Sequence, residues 1–344
     1  MKKTIAWLLV AAGVVTAAVL FYGRERAAGS APAGNAAQKE LTKVSVRTPW
    51  IIAYGQTGSE VAVSLGYFKD LGLSVSFLPG SVENSPIRKV LTGEDAFGIV
   101  EPAQVITAIS QQQAPLVILA LAAQRAPMCM MSRTEAGIKV AKDFQGKRVG
   151  YNPLFDFGYL AMLKKNDVDR TKITEVRAGF SLDPFLQGQA DVWPVYISNE
   201  PLVARSKGIN VSLICADDAG VKLYEHAVFA RKDFVEKNPA VVEAFLKGWV
   251  RGWLTTFKDT DKAVEIMAAR VPELNVTQEK ANLAAFAPLL TADRAKTDGF
   301  GWVDAEMMGG VAQTLHDLKL IDKVPDPSSI VNNSFLLKID RKIP

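Results

Sequence analysis

Residues 96–121 read AFGIVEPAQVITAISQQQAPLVILAL, and their pattern changes twice. Ala96–Val100 is a short apolar run of strand length, Gln104–Gln112 continues as a helix, and Leu116–Leu121 is apolar throughout and predicts another strand. The alternation continues on either side. Upstream, Val44–Arg47 predicts a strand, Gly58–Leu65 a helix stopped by Gly66, and Leu73–Leu78 a strand closed by Pro79-Gly80, with a short helix ending at Leu91. Strands alternating with helices imply a mainly parallel sheet covered on both faces.

The same rhythm restarts after Met131. Lys147–Tyr151, Ile173–Arg177 and Asp191–Tyr196 read as strands, separated by helices over Gly158–Lys165 and Leu182–Gln187 and followed by one over Asn199–Ser206. Val211–Ile214 and Ala227–Ala230 close this second block, and the chain beyond Asp233 is mainly helical. Pro239 sits at a helix start, where its missing N–H costs nothing. Behind it Val242, Phe245, Leu246, Trp249, Trp253 and Phe257 recur at helical spacing, the pattern of a core-facing stripe.

Two α/β blocks and a helical tail predict an α/β fold of two lobes, each a mixed, mainly parallel sheet flanked by helices. The expected division is residues 42–128 with 234–344 in one lobe and 129–233 in the other. The chain then crosses twice, near Met130 and near Ala230, and two crossings make a hinge suited to closing on a ligand.

The 344 residues and 49% hydrophobic content are enough for two cores. The formal charge of +4 is concentrated at the amino terminus, where Lys2, Lys3, Arg24 and Arg26 stand against Glu25; the remainder carries only +1. Such a body is no nucleic-acid footprint. Ile5–Tyr22 is an uncharged apolar run behind Lys2-Lys3, the form of a secretory signal, yet nearly long enough to span a bilayer. Residues 1–38 are therefore expected to be a signal peptide or an uncleaved membrane anchor, ending in an Ala-, Gly- and Ser-rich linker. No Cys follows the apolar run, which excludes a lipid-anchored terminus. Either form exports the remainder to the periplasm, with membrane contact only through this segment. Only His226 and His316 occur, and no CxxC, so no His/Cys metal site is expected. Cys129 and Cys215 read most simply as two buried small apolar side chains, although an exported protein allows them to pair.

Several segments resemble type II periplasmic substrate-binding proteins. Residues 64–75 (SLGYFKDLGLSV), 96–105 (AFGIVEPAQV) and 143–151 (DFQGKRVGY) are similar to motifs shared across that superfamily. Residues 191–201 (DVWPVYISNEP) resemble the branch that binds the pyrimidine precursor of thiamine and related flavin-type ligands; the wider grouping includes nitrate, sulfonate and taurine binders. The resemblance implies a monomeric receptor without cofactor, whose partners are a small-molecule ligand and the permease of an ABC transporter.

In open parallel sheets ligands collect beyond the carboxyl ends of strands, and four places fall there. The first is residues 50–58: Trp50 and Tyr54 offer ring faces, and Gly55, Thr57 and Gly58 allow close backbone approach; Trp50 alternatively caps the lobe core. At the second, Glu101 can accept from an amine, or simply complements a helix dipole. The third is residues 152–158 (NPLFDFG), with Asn152 and Phe155 as candidates. It lacks a Ser/Thr-Gly-Ser/Thr run, which disfavours an anionic head group, although its Phe residues can equally pack. At the fourth, Tyr196 and Glu200 stand at i, i+4, where Tyr stacks and Glu accepts two bonds from an amidine-like edge; the alternative is a core Tyr and a helix-start Glu. The resemblance implies a Trp in one lobe with a Tyr and a Glu in the other, matching Trp50, Tyr196 and Glu200. The expected cargo is an aromatic heterocycle, with a flavin, a sulfonate such as taurine, or nitrate as alternatives. A membrane-tethered sensor and a pyrimidine-synthesising enzyme are the rivals from other classes.

Overall fold

The computed structural model describes residues 40–152, 156–179 and 181–344. The predicted signal or anchor segment therefore lies outside the described residues, as does Phe155. Among the described residues no helix is long and apolar enough to cross a membrane.

Ten strands form two five-stranded sheets. The first sheet contains β1 (Thr42–Arg47), β2 (Leu73–Leu78), β3 (Phe97–Val100), β4 (Leu116–Ala123) and β10 (Glu225–Arg231), in the order β2-β1-β3-β10-β4. The second contains β5 (Met128–Arg133), β6 (Arg148–Tyr151), β7 (Thr174–Arg177), β8 (Val192–Tyr196) and β9 (Val211–Cys215), in the order β7-β6-β8-β5-β9. The two orders are one topology used twice. In each sheet the first two strands of the block and the third pair in parallel, and the strand next to a crossing inserts antiparallel between the third and the last.

Two strand assignments depart from the sequence reading. Ala227–Ala230, expected to close the second lobe, belongs to β10 and pairs with β3 and β4 of the first. The crossings therefore fall at residues 124–127 and 216–224, rather than near Met130 and Ala230. The strand β5 was not expected as such, because Met128-Cys-Met-Met lacks the β-branched side chains that mark a strand. The crossings run side by side: Ala126 N donates to Leu223 O at 2.9 Å, and Arg125 joins Asp293 (2.8 Å) to Asp217 (3.5 Å).

Helices α1 (Thr57–Ser64), α2 (Pro86–Leu91) and α3 (Pro102–Gln112) connect the strands of the first sheet; α4 (Asp156–Lys165), α5 (Asp183–Leu186) and α6 (Glu200–Ser206) serve the second. The tail adds α7 (Lys232–Lys237), α8 (Pro239–Lys258), α9 (Thr260–Ala268), α10 (Val276–Leu290), α11 (Arg294–Asp298), α12 (Ala305–Asp317) and α13 (Pro327–Ile330). The predicted stripe of α8 is core: Val242, Phe245, Leu246, Trp249 and Trp253 are buried and Phe257 is half-buried. Phe245 stacks on Phe97 (4.2 Å between centroids) and on Phe68 (5.7 Å). The crossing of α8 over α1 depends on glycine, since a Cβ on Gly252 would lie 2.1 Å from the Gly58 carbonyl oxygen.

Cys129 and Cys215 are disulfide-bonded, against the simpler expectation of two unpaired buried thiols. Sheet register explains the pairing: β5 and β9 are neighbours and place these residues directly opposite one another. Spacing in sequence could not reveal a register.

Candidate ligand-binding cleft

The carboxyl ends of β3 and β8 face one another across the gap between the sheets. Continued past its last pair, Ala227 with Val100, the antiparallel register sets His226 opposite Glu101 and Glu225 opposite Pro102; the left-handed backbone of His226 (φ 55°) interrupts the alternation of faces, and Glu225 lines the same cavity as Glu101. Both residues line a cavity of about 30 Å³, shared with Pro102, Met128, Phe157 and Tyr224 among others. Residues of both crossings, Ala126, Leu223 and Tyr224, form part of its wall, so the cavity sits at the hinge. Gly158 lets α4 approach it, as a Cβ there would stand 3.0 Å from Leu223 and 3.1 Å from Met128.

Tyr196, at the end of β8, reaches over from the second sheet and donates through its hydroxyl to Glu101 Oε1 at 3.5 Å. Burial, with the charge of Glu225 next, pushes this hydroxyl well above the ordinary tyrosine range. Glu225 is itself buried, 4% exposed, and its carboxyl is pushed well up, first by burial and then by the adjacent Glu101. Hydrogen bonds from the His226 backbone and from Tyr196 act in the opposite direction. Among the described residues lining the cavity there is no lysine or arginine.

A second bridge lies beside the first. Ser198 donates through Oγ to the Tyr54 hydroxyl at 2.8 Å, and the Asn282 amide, oriented to donate, reaches Ser198 O at 2.8 Å. Tyr54 is anchored on the first-sheet side by its N–H to Glu279 Oε2 (2.5 Å) and by an edge contact with Phe286 (5.4 Å). Burial raises its hydroxyl pKa above the usual value. His226 packs against the same Phe286 (5.6 Å) and next to Gly55, where a Cβ would come 3.1 Å from the imidazole. Its backbone is left-handed (φ 55°), its Nδ1 is buried without a hydrogen-bond partner, and burial lowers its pKa to about 4.

The expected residues do not all meet in this cleft. Of those proposed from the sequence, Glu101 lines the cavity and Tyr196 touches it through Glu101. Tyr54 bridges the sheets through its hydroxyl, and its ring is taken up by Phe286. Thr57 is fully buried, with its hydroxyl donating to Tyr54 O at 2.8 Å, so it secures the start of α1. Glu200 reaches back along its own turn: Oε2 accepts from Tyr196 N (2.9 Å) and Oε1 from Asn199 Nδ2 (3.1 Å). This is the helix-start arrangement given above as the alternative. Asn152 is buried just beyond β6. Trp50 is 41% exposed on a loop beside Ile51, its carbonyl accepting from Gly80 N and from the Thr48 hydroxyl. Glu225 and His226 escaped the sequence reading. The available signal was a polar, titratable pair, Glu225-His226, immediately ahead of the apolar run Ala227–Ala230. Among the described residues no three His, Cys, Asp or Glu side chains converge to hold a metal.

Two sheets of one strand order, each with an antiparallel strand inserted beside a crossing, make up the type II periplasmic-binding-protein fold. The chain belongs to the NMT1/THI5-like family, whose profile matches residues 55–263. Its sequence is 22% identical over 317 residues to the riboflavin-binding protein RibY of Chloroflexus aurantiacus, covering 89% of each chain. It is 25% identical over 272 residues to the formylaminopyrimidine-binding protein of Halalkalibacterium halodurans, covering 77% of this chain and 82% of that one. Its fold is similar to that of the periplasmic aliphatic sulphonate binding protein SsuA from Escherichia coli (TM-score 0.66, 17% identity), covering 84% of this chain and 91% of that one.

Proposed function

We propose that this chain is a periplasmic receptor that captures a small aromatic heterocycle, of the kind represented by the pyrimidine precursor of thiamine, and delivers it to the permease of an ABC importer. One observation carries the choice of cargo. The cavity lined by Glu101 and Glu225 has no basic side chain among the described residues of its wall. A sulfonate or nitrate would lose its hydration there and gain no cation in exchange, whereas a neutral or protonated heterocycle brings donors to the carboxylates. The riboflavin-binding and formylaminopyrimidine-binding relatives favour the same reading, and both are binding proteins by name, which supports a binding protein over an enzyme.

The lobes divide at residues 124–127 and 216–224 in this reading, and the chain acts as a monomer. A space of about 30 Å³ holds a water or two, not a ring. Ligand therefore enters by parting the lobes, which breaks the Tyr196–Glu101 and Tyr54–Ser198 contacts, and closure follows from tighter binding to the closed form. The Cys129–Cys215 disulfide suits an oxidising compartment outside the inner membrane, as the amino-terminal apolar run does. The test is titration of the full chain with formylaminopyrimidine, riboflavin, taurine and nitrate, followed by Trp fluorescence. Binding of a heterocycle at micromolar or tighter concentration is expected. Saturation by taurine or nitrate instead would sink the cargo while leaving the fold untouched.

A further inference from the structure

We propose that the turn Tyr196–Asn199, held shut by Glu200, is a latch that sets how readily the lobes part and how fast the ligand leaves. It does so by presenting Ser198 to Tyr54 and Asn282 on the first-sheet side. This inference rests on the receptor reading above and adds its release step.

The polar residues of the segment 191–201 are spent on shaping this turn. Asn199 N donates to Tyr196 O at 2.9 Å, so Ile197 and Ser198 occupy the two central positions. Glu200 closes the turn from behind, Oε2 accepting from Tyr196 N and Oε1 from Asn199 Nδ2. Ile197 N donates to Pro127 O at 2.8 Å, which ties the turn to the first crossing. Loop tips ordinarily meet solvent, yet Ser198 is fully buried. Two of its polar groups are matched from the other side: the hydroxyl donates to the Tyr54 hydroxyl and the carbonyl accepts from the Asn282 amide, each at 2.8 Å.

The receiving residues are fixed within their own lobe. Glu279 holds the Tyr54 N–H, Phe286 holds its ring, and Asn282 is buried on α10 beside Gln278. Among the described residues lining the cavity of Glu101 and Glu225, none is Tyr54, Ser198 or Asn282. The bridge therefore acts on closure and not on the polar edge of the ligand. Parting the lobes hands the Ser198 hydroxyl and carbonyl to water, so each bond is exchanged for hydration and the net hold is modest. A modest hold suits a receptor that has to let go.

The experiment is stopped-flow release of formylaminopyrimidine and of riboflavin from the full chain and from its Ser198→Ala, Tyr54→Phe and doubly substituted variants. Lobe separation in each ligand-free chain is measured between spin labels introduced through Val82→Cys and Asp183→Cys, exposed positions past the carboxyl ends of the edge strands β2 and β7. Each single change should speed release about threefold to tenfold, by the same factor for both ligands, and enlarge the long-distance population. The double variant should be no faster than the faster single one, since both changes remove the same bond. Glu200→Gln, which loosens the turn, should act in the same direction on both ligands. Unchanged release with unchanged lobe separation, multiplied effects in the double variant, or a change confined to one of two bound ligands would each overturn the inference, the last by making these residues ligand contacts. Should Ser198→Ala fail to fold, Tyr54→Phe removes the same bond and keeps its ring on Phe286. A wild-type chain that binds neither heterocycle removes the cargo reading alone, because the label distances still test the latch.

Discussion

The two sheets share a strand order but not a setting. The first is wrapped by the long tail helices and surrounds a core that includes Phe97, Phe245, Trp249, Trp253, Phe286 and Phe300, all essentially inaccessible. The second has short strands, helices of four and seven residues in α5 and α6, and an edge strand, β7, whose side chains are mostly exposed. What it has in addition is a covalent link between β5 and β9. Strand order decides which fold forms; the surface each lobe can bury decides how firmly it is held, and the lobe with the smaller core is the one with a staple.

That contrast can be broken in the first lobe by Phe245→Ala. The side chain is stacked between Phe97 and Phe68, and its removal leaves a cavity among rings that cannot easily collapse. We expect a loss of about 4 kcal/mol in denaturant unfolding, confined to the transition of the first lobe if the lobes melt separately. A loss below about 1 kcal/mol would mean that the tail helices are not the source of the first lobe's stability.

The second lobe is tested by replacing Cys129 and Cys215 together with Ala. The bond closes a sequence separation of 86 residues, and its loss should cost about 3 kcal/mol, read as a lower unfolding midpoint for the second lobe. Equal midpoints for the variant and wild type under non-reducing conditions would show that the small core suffices alone.

These differences were unevenly legible in the sequence. The strand–helix rhythm and the stripe of α8 were readable because periodicity is local. The disulfide was not, because it depends on which strand lies beside β5. Membership of β10 in the first sheet was hidden for the same reason: its apolar run suits either lobe, and the choice is made by pairing with Val100 and Ala123. At the cleft, local spacing located Tyr196 and Glu200 at i, i+4, yet could not say whether the carboxylate faces outward or turns back on its own strand end. Glu101 was found because it follows a strand directly. Glu225 was missed because its partner in the cleft is 124 positions earlier and comes near only through the returning strand.

The lobes should differ in acid as well. The chain's two histidines are His226 and His316; His226 is buried on β10 of the first lobe, and no histidine lies in any strand of the second sheet. Burial lowers the His226 pKa from 6.5 to about 4, so the unfolded chain takes up a proton before the folded one does. The stability this group contributes is present above the unfolded value and is lost as pH falls toward the folded one. Between about pH 7 and pH 5 the loss should be about 2 kcal/mol. Glu225, its neighbour in sequence, works with the opposite sign. Its folded pKa is raised above 4.5, so its contribution is present in acid and lost as pH rises. Wild-type stability can therefore look nearly flat across this range while two opposed titrations proceed beneath it. His226→Asn separates them, since Asn tolerates the left-handed backbone at this position and does not titrate. Relative to wild type, the variant should gain about 2 kcal/mol on going from about pH 7 to pH 5, measured by urea unfolding at the two values. A wild-type–variant difference that is the same at both would mean that His226 is protonated as readily in the folded chain as in the unfolded one, and that its burial against Phe286 is not maintained in solution.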